Sequence, residues 1–241
     1  MPPRLDRQGT ALFLDLDGTL AEIEARPDDV GPNLRRTRVL AALAEAMGGR
    51  VAVLTGRTLA EADRIVGGAV PAVAAVHGLV RRGPRGGVEE PRPAPGLPQA
   101  RESLRLLAED KGLLLEDKGT SVAIHYRARP ETEAEVRAAA RRVAGATGLV
   151  LQEGTMVSEL RSPGPHKGDA LRAFLAEPPF AGHMPVMVGD DLTDEHAFAA
   201  AAAAGGYGIL VGPPRETRAR FRLGSVAEVL DWLDDDDGGN A

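Results

Sequence analysis

Apolar positions along the chain follow two rhythms. In the first, short continuous apolar runs alternate with amphipathic stretches. Ala11-Leu12-Phe13-Leu14 is an uninterrupted run that predicts a buried strand, ending in the polar segment Asp15-Leu16-Asp17-Gly18-Thr19. From Asn33 to Met47, the residues Leu34, Val39, Leu40, Leu43 and Met47 form a helical stripe stopped by Gly48-Gly49. Val51 to Leu54 predicts a second buried strand, ending at Thr55-Gly56-Arg57. Thr58 and Glu61 then stand at capping-box spacing and open a helix that Gly67 closes. Ala72 to Val76 predicts a third strand, ending at His77-Gly78. Strands that are apolar throughout, rather than at alternate positions, belong to a parallel sheet covered on both faces.

The stretch Arg81 to Gly96, rich in Arg, Gly and Pro, reads as a linker or irregular loop. A different pattern follows. Ala100, Leu104 and Leu107 mark a helix ending near Gly112. Leu113 to Leu115 and Ser121 to Tyr126 predict two strands across the turn Asp117-Lys118-Gly119-Thr120. Glu131 to Ala144 predicts a charged helix. Leu149 to Gln152 and Met156 to Leu160 predict a second strand pair across Glu153-Gly154-Thr155. Helix, hairpin, helix, hairpin is an α+β arrangement, and it is expected to form an inserted domain. The first rhythm then resumes. It predicts a helix over Gly168 to Ala176 and a strand over Val186 to Val188 ending at Gly189-Asp190-Asp191. Next come a helix over Thr193 to Ala204 with Thr193 as N-cap, and a strand over Tyr207 to Val211. A last helix opens on the capping box Ser225 and Glu228. The expected fold is α/β, a Rossmann-like doubly wound parallel sheet core built from residues 1–88 and 163–241, with residues 89–162 inserted. The acidic, Gly-rich segment Asp234 to Ala241 is expected to be disordered.

Composition narrows the chemistry. Acidic residues outnumber Lys and Arg by 35 to 29, a net charge of -6, which argues against nucleic acid as a default partner. With no cysteine in the chain, disulfide scaffolds, zinc–thiolate sites, iron–sulfur clusters and thiol nucleophiles are all excluded. No run approaches the roughly 18 apolar residues of a spanning helix. The polar start, Met1 to Thr10, does not read as a secretory signal, so no membrane association and a cytoplasmic location are expected.

Three predicted strands end in polar clusters: Asp15-x-Asp17-Gly18-Thr19, Thr55-Gly56-Arg57 and Gly189-Asp190-Asp191-x-Thr193-Asp194. Open α/β sheets bind ligands at the carboxyl ends of their strands, so the clusters are expected to converge. Carboxylates gathered without His or Cys favour a hard cation such as Mg²⁺. Asp15 and Asp17, two apart on extended backbone, share a face; one can attack while the other moves a proton. Gly18 lets the chain turn and brings N–H groups near an anion. Thr55 offers a hydroxyl to a phosphate oxygen, and Lys167 at a helix start offers positive charge. Taken singly, Asp-x-Asp is more often a loop or cap, Thr-Gly-Arg a strand end, and Gly-Asp-Asp a turn. Their order at successive strand ends is what points to one site.

These residues resemble the haloacid dehalogenase-like phosphatases. Asp15-Leu16-Asp17-Gly18-Thr19-Leu20 looks like the first motif of that superfamily, Thr55 the second, Lys167 the third and Asp190 to Asp194 the fourth. Thr55-Gly56-Arg57, His77-Gly78, Glu159-x-Arg161 with Gly164 and Lys167-Gly168, and Gly189-Asp190-Asp191-x-Thr193-Asp194-Glu195 are similar to the trehalose-6-phosphate phosphatase family. The resemblance runs from about Leu12 to Leu233. Ser162 departs from it, standing where Pro is common, as do Leu79 and Val80, where Ala and Glu are frequent.

The resemblance implies Mg²⁺-dependent hydrolysis of trehalose 6-phosphate, a step of trehalose biosynthesis, through an aspartyl-phosphate on Asp15. Asp17 would be the acid and base, and Thr55 and Lys167 would hold phosphoryl oxygens. Asp15, the carbonyl of Asp17, Asp190 and Asp191 would surround the metal, supported by Asp194. The inserted domain would be a mobile cap that closes over the site. Gly18, Thr19, Gly56, Arg57 and His77 on the core, and Lys118, Ser121, His125, Glu159 and Arg161 on the cap, would bind substrate. His77 also reads as a strand-end His tied to backbone, and His125 as a solvated strand residue. His166 and His196 read as surface or helix-cap residues. A sucrose-phosphate or glycosyl-phosphoglycerate phosphatase, a phosphomutase, and a non-catalytic partner of a trehalose-phosphate synthase are the alternatives. Functional pairing with such a synthase is also an expectation of the leading reading.

Overall fold

The apolar runs become strands and the stripes become helices that bury them. In the computed structural model, which describes residues 1–24 and 26–235, the chain begins with β1 (Thr10–Leu14), α1 (Leu34–Ala46), β2 (Val51–Leu54), α2 (Leu59–Val66) and β3 (Ala72–Ala75). Two short strands follow, β4 (Val80–Arg82) and β5 (Val88–Glu89). Next are α3 (Leu97–Lys111), β6 (Leu114–Asp117), β7 (Ser121–His125), α4 (Glu133–Thr147), β8 (Val150–Gly154) and β9 (Val157–Arg161). The chain ends with α5 (Lys167–Leu175), β10 (Met184–Gly189), α6 (Glu195–Ala203), β11 (Tyr207–Val211), β12 (Phe221–Leu223) and α7 (Val226–Asp234). Two compact units result, one formed by Met1–Glu89 together with the residues from Pro165 onward, the other by Glu90–Gly164.

The first unit is an eight-stranded sheet in the order β12-β11-β10-β1-β2-β3-β4-β5. Every pair from β12 to β3 is parallel. Leu12 and Leu14 of β1 point to one core and Ala11 and Phe13 to the other, because successive side chains of a strand face opposite ways. The first core also takes Val39, Leu40 and Leu43 of α1, Ala62 and Ile65 of α2, and Val229 and Leu233 of α7. The second takes Leu171 and Phe174 of α5 and Ala197, Phe198, Ala200 and Ala201 of α6. The sheet is thus doubly wound. The chain leaves β1 for β2 on one side and β10 for β11 on the other, so adjacent β1 and β10 form the topological switch point.

Helix ends follow local chemistry. Asn33 caps α1 by accepting from the Arg36 N–H, and Thr58 and Glu61 form the expected reciprocal box on α2, which Gly67 closes in left-handed conformation. His166 caps α5, its Nδ1 accepting from the Asp169 N–H at 3.1 Å. Thr193 is not an N-cap. A short 3₁₀ turn, Leu192–Asp194, precedes α6 and starts after Asp191, whose N–H donates to Asp194 Oδ2 at 3.1 Å. Ser225 does cap α7, but Glu228 reaches the Gly224 N–H rather than that of Ser225, so the box is half made.

The stretch from Arg81 is not irregular at its start. β4 and β5 pair antiparallel and extend the sheet past β3. Their arginines gave no apolar signal, yet Arg82 makes a two-pronged ion pair with Asp63 at 2.7 Å and Arg81 pairs with Glu89 and Glu177. Fixed carboxylate partners let charged residues occupy a strand. Asp234, expected to be disordered, is instead the last residue of α7. Residues 236–241 lie outside the described residues.

The second unit is a four-stranded antiparallel sheet, β6-β7-β9-β8, with both helices on one face. Val122, Ile124 and Leu160 pack under Leu97, Ala100 and Leu104 of α3 and Val136 and Ala140 of α4. The β8–β9 turn falls at Thr155 and Met156, one residue past the predicted centre, with Met156 in left-handed backbone at φ 63°. The ends of this unit are tied to each other. Ser162 Oγ accepts from the Ala94 N–H at 2.9 Å and donates to the Thr120 carbonyl at 2.9 Å, which also accepts from the Ser162 N–H. A proline at 162 could make none of these bonds, having neither hydroxyl nor N–H. Among the described residues no helix is long and apolar enough to cross a membrane.

Candidate active site

β1 and β10 end side by side, and the residues that follow them form the site. The Asp15 N–H still donates to Val188 in the sheet, so Asp15 leaves β1 in register with β10. Beyond it the chain turns at Gly18, φ 77°. A Cβ on Gly18 would lie 2.1 Å from Asp190 Oδ2, so the missing side chain is what admits the Asp190 carboxylate. Thr19 Oγ1 donates to Asp190 Oδ1 at 3.4 Å.

Lys167, the first residue of α5, is buried and joins these strand ends. Its ammonium lies 2.7 Å from Asp15 Oδ1 and 2.7 Å from Asp194 Oδ1. Burial works against its charge, but Asp15 and Asp194 outweigh burial and raise its pKa above the ordinary lysine value. Asp15 is pushed well above the ordinary carboxylate range, first by burial and then by Asp194, with Lys167 pulling the other way. Burial and Asp194 likewise push Asp190 up to about 7.

Carboxylate oxygens of Asp15, Asp190 and Asp194 all lie within 4.8 Å of one another. Were all three carboxylates ionised, the one ammonium would leave two negative charges uncompensated at close quarters. An all-oxygen donor set with that deficit fits a hard dication. Asp194 is already committed, with Oδ1 to Lys167 and Oδ2 to the Asp191 N–H, which leaves Asp15 and Asp190 as the donors of the set. The Asp191 carboxylate is not part of the cluster.

The raised Asp190 has a consequence for metal-free protein. Its folded-state value, about 7, exceeds the ordinary 3.8, so the folded state keeps a proton that the unfolded chain has released. Stability falls with pH wherever the folded state binds more protons. The Asp190→Asn variant is therefore expected to gain on wild type as pH rises from about 4 to about 7, and to hold that advantage above. Thermal unfolding of both proteins in EDTA over this range checks it; a difference independent of pH would refute it.

Asp17 stands apart from the cluster. Both its oxygens are taken by Arg57, Nε at 2.8 Å and Nη2 at 2.7 Å, a forked pair. Arg57 is buried, and although burial works against its charge, Asp17 and Glu61 raise its pKa above the ordinary arginine value. Arg57, expected to touch substrate, thus holds Asp17. Thr55, fully buried, accepts the Arg57 N–H on its hydroxyl at 3.1 Å, which bends the chain off β2. A Cβ on Gly56 would lie 2.6 Å from His77 Cε1, so the glycine makes room for that ring.

His77 and Val76 both sit in left-handed backbone, φ 57° and 47°. For a β-branched residue this is a strained conformation, of a kind that clusters at functional sites. Bonds from Val76 N–H to the Arg57 carbonyl, 2.9 Å, and from His77 N–H to the Thr55 carbonyl, 2.8 Å, hold it in place. The main chain of His77 is thus tied to β2, and its ring lies beside Gly56.

In the second unit, strand register gathers the other predicted residues on the sheet face opposite the helices. Ser121 lies across from Arg161 and Ala123 from Glu159, while His125 shares that face two residues on. Lys118 Nζ meets Glu159 Oε2 at 2.9 Å, and His125 Nε2 meets Glu116 Oε2 at 2.8 Å. Ser121, Glu159 and Arg161 are buried.

Two residues escaped the sequence reading. Glu195 was seen only as part of a motif, and Arg215 not at all. Burial works to raise the Glu195 carboxyl, but hydrogen bonds from the Arg218 N–H, the Thr217 hydroxyl and Arg215 hold it below its ordinary value. The signal for Arg215 is its place in the loop that follows the carboxyl end of β11, four residues past Val211.

A buried Asp-Lys-Asp bridge sits at the switch point of a doubly wound sheet, a fold also found among the haloacid dehalogenase-like phosphatases. A Bacteroides thetaiotaomicron phosphatase of that superfamily shares the fold, with a TM-score of 0.60 at 18% identity over 96% of each chain. The trehalose-phosphatase family model matches residues 13–226. Over 231 residues the chain is 38% identical to the trehalose-6-phosphate phosphatase of Escherichia coli (strain K12), covering 93% of this chain and 85% of that protein. The crystal structure of a trehalose-6-phosphate phosphatase related protein superposes with a TM-score of 0.74 at 26% identity, over 92% of this chain and 94% of that one. The chain belongs to the trehalose-phosphatase family.

Proposed function

We propose that this chain hydrolyses trehalose 6-phosphate to trehalose and inorganic phosphate through an aspartyl-phosphate on Asp15, with Mg²⁺ as cofactor. The observation that carries this reading is the Lys167 ammonium held 2.7 Å from both Asp15 and Asp194, in a chain of the family. Asp15 Oδ2 attacks phosphorus as the bond to the sugar oxygen breaks, and Asp17 gives that oxygen its proton. Water then attacks the acyl phosphate, Asp17 takes a proton from it, and phosphate leaves with Asp15 regenerated. An ammonium has three donors. Asp15 and Asp194 take two of Lys167's, and the third is assigned, with the Thr55 hydroxyl, to phosphoryl oxygens. Both oxygens of Asp17 are held by Arg57, so the proton is carried on a lone pair that the guanidinium leaves free, or on an oxygen it releases.

Asp15, Asp190 and the Asp17 carbonyl would hold Mg²⁺, with Asp191 at the edge of the set and Asp194 in support. When bound, Mg²⁺ supplies charge neutralisation for the carboxylates and phosphoryl oxygens. Lys118, Ser121, His125, Glu159 and Arg161 are the proposed sugar-reading residues of the second unit. Cytoplasmic location and functional pairing with a trehalose-phosphate synthase complete the reading.

Phosphate release with Mg²⁺ over trehalose 6-phosphate, sucrose 6-phosphate and a glycosyl-phosphoglycerate tests it. Trehalose 6-phosphate is expected to have the highest kcat/KM. A higher value for another sugar phosphate overturns the substrate, isomerised sugar phosphate without free phosphate indicates a mutase, and no turnover of any indicates a binding partner.

A further inference from the structure

The Asp190–Asp191 loop leaves the sheet at the point where its side chains matter. Pairing of β10 with β11 ends at Gly189 opposite Leu210, so the next two carbonyls have no strand partner. Arg215 supplies one. Its Nη2 donates to the Asp190 carbonyl at 3.2 Å and to the Asp191 carbonyl at 2.9 Å. Its Nη1 donates to Glu195 Oε1 and to the Glu216 carbonyl. Glu195 is fixed in turn by the Thr217 hydroxyl and the Arg218 N–H, both at 2.8 Å. One guanidinium therefore joins the loop after β11 to both ends of the segment from Asp190 to Glu195.

The direction of the Asp190 carbonyl sets the plane of the Asp190–Asp191 peptide. With Gly189 held in the sheet on the other side, that plane fixes where the Asp190 Cα–Cβ bond points. The carboxylate so aimed is the one seated against Gly18 and Thr19. Arg215 touches no reacting atom and is three-quarters buried, so its influence passes through the main chain. A lysine replaces it only in part, because a single point charge lacks the planar fork that spans two carbonyls and a carboxylate.

We propose that Arg215 is a positioning residue for the metal-binding loop, holding Asp190 in the orientation that a divalent cation requires. This rests on the reading of Asp15 and Asp190 as the Mg²⁺ donors. The test is Mg²⁺ binding by calorimetry without substrate, for wild type, Arg215→Ala and Arg215→Lys, beside thermal unfolding in EDTA. Partners that orient metal ligands are worth roughly 10- to 100-fold in metal affinity. Arg215→Ala is expected to lose Mg²⁺ affinity by that factor, and Arg215→Lys by less. The half-saturating Mg²⁺ for phosphate release should move in parallel, with kcat at saturating Mg²⁺ close to wild type. A folded Arg215→Ala with unchanged Mg²⁺ affinity overturns the proposal. Should Arg215→Ala fail to fold, Arg215→Lys decides, and unchanged affinity there overturns it equally. Wild type that binds no Mg²⁺ is a separate result, which removes the metal reading itself.

Discussion

Replacing Asp15 by Asn is expected to lower kcat for phosphate release by roughly 10⁴- to 10⁶-fold, the scale seen when an enzyme loses its nucleophile. The amide keeps the shape of the side chain and can still meet Lys167. It cannot form an acyl phosphate. The fold should survive, because Asp15 is a crowded carboxyl pushed up by burial and by Asp194, and a neutral amide relieves that crowding. In metal-free protein the variant should melt no lower than wild type. Rapid quench with labelled substrate should trap an aspartyl-phosphate in wild type alone. Asp15→Ala belongs beside it, so that slow deamidation of the Asn does not pass for turnover. Full activity in the Ala variant would remove Asp15 as nucleophile.

Lys167→Met should damage both activity and stability. Breaking a buried ion pair by removing one partner typically costs about 3–5 kcal/mol, because the other charge is left uncompensated. Here Asp15 and Asp194 would both be left, in a place where Lys167 is 2% exposed and water gives little relief. The stranded carboxylates can escape by taking up protons. The penalty should therefore be largest above neutrality and shrink as pH falls, since protonation removes the charge that Lys167 had balanced. Urea unfolding of variant and wild type at pH 8 and pH 5.5 reads this directly. Turnover should fall by about 10²- to 10³-fold, as when one preorganised donor to a transition state is removed. Equal stability of the two proteins at both pH values would contradict the geometry.

The parts of this molecule that were legible in its sequence are those where one local rule had no rival. Continuous apolar runs such as Ala11 to Leu14 can be buried on both faces in only a few ways, and they became the central strands. The reciprocal box at Thr58 and Glu61 formed because both partners lie within one turn. What stayed hidden depends on partners distant in the chain. β4 looked like loop because its arginines are satisfied by Asp63, Glu89 and Glu177, two of them far from any local pattern. Thr193 looked like a cap until Asp191 and Asp194 closed a 3₁₀ turn around it. The same holds at the site. Strand-end carboxylates were readable as a class, but not that Arg57 would take both oxygens of Asp17, forty residues away. Nor was it readable that Asp194 would give one oxygen to Lys167 and the other to the main chain.

The Ser162 clasp bears on how the chain can fold at all. A long insertion normally burdens its host with loop-closure entropy that grows with the logarithm of its length. Here the entering segment at Ala94 and the leaving segment at Ser162 are hydrogen-bonded to each other, so once the second unit is folded its ends are already together. To the parallel sheet the whole insert then counts as a short connection between β5 and α5. In Ser162→Ala the bond to Ala94 is lost while the main-chain bond from Ser162 to Thr120 stays, so the two ends of the insert are held by one tie fewer.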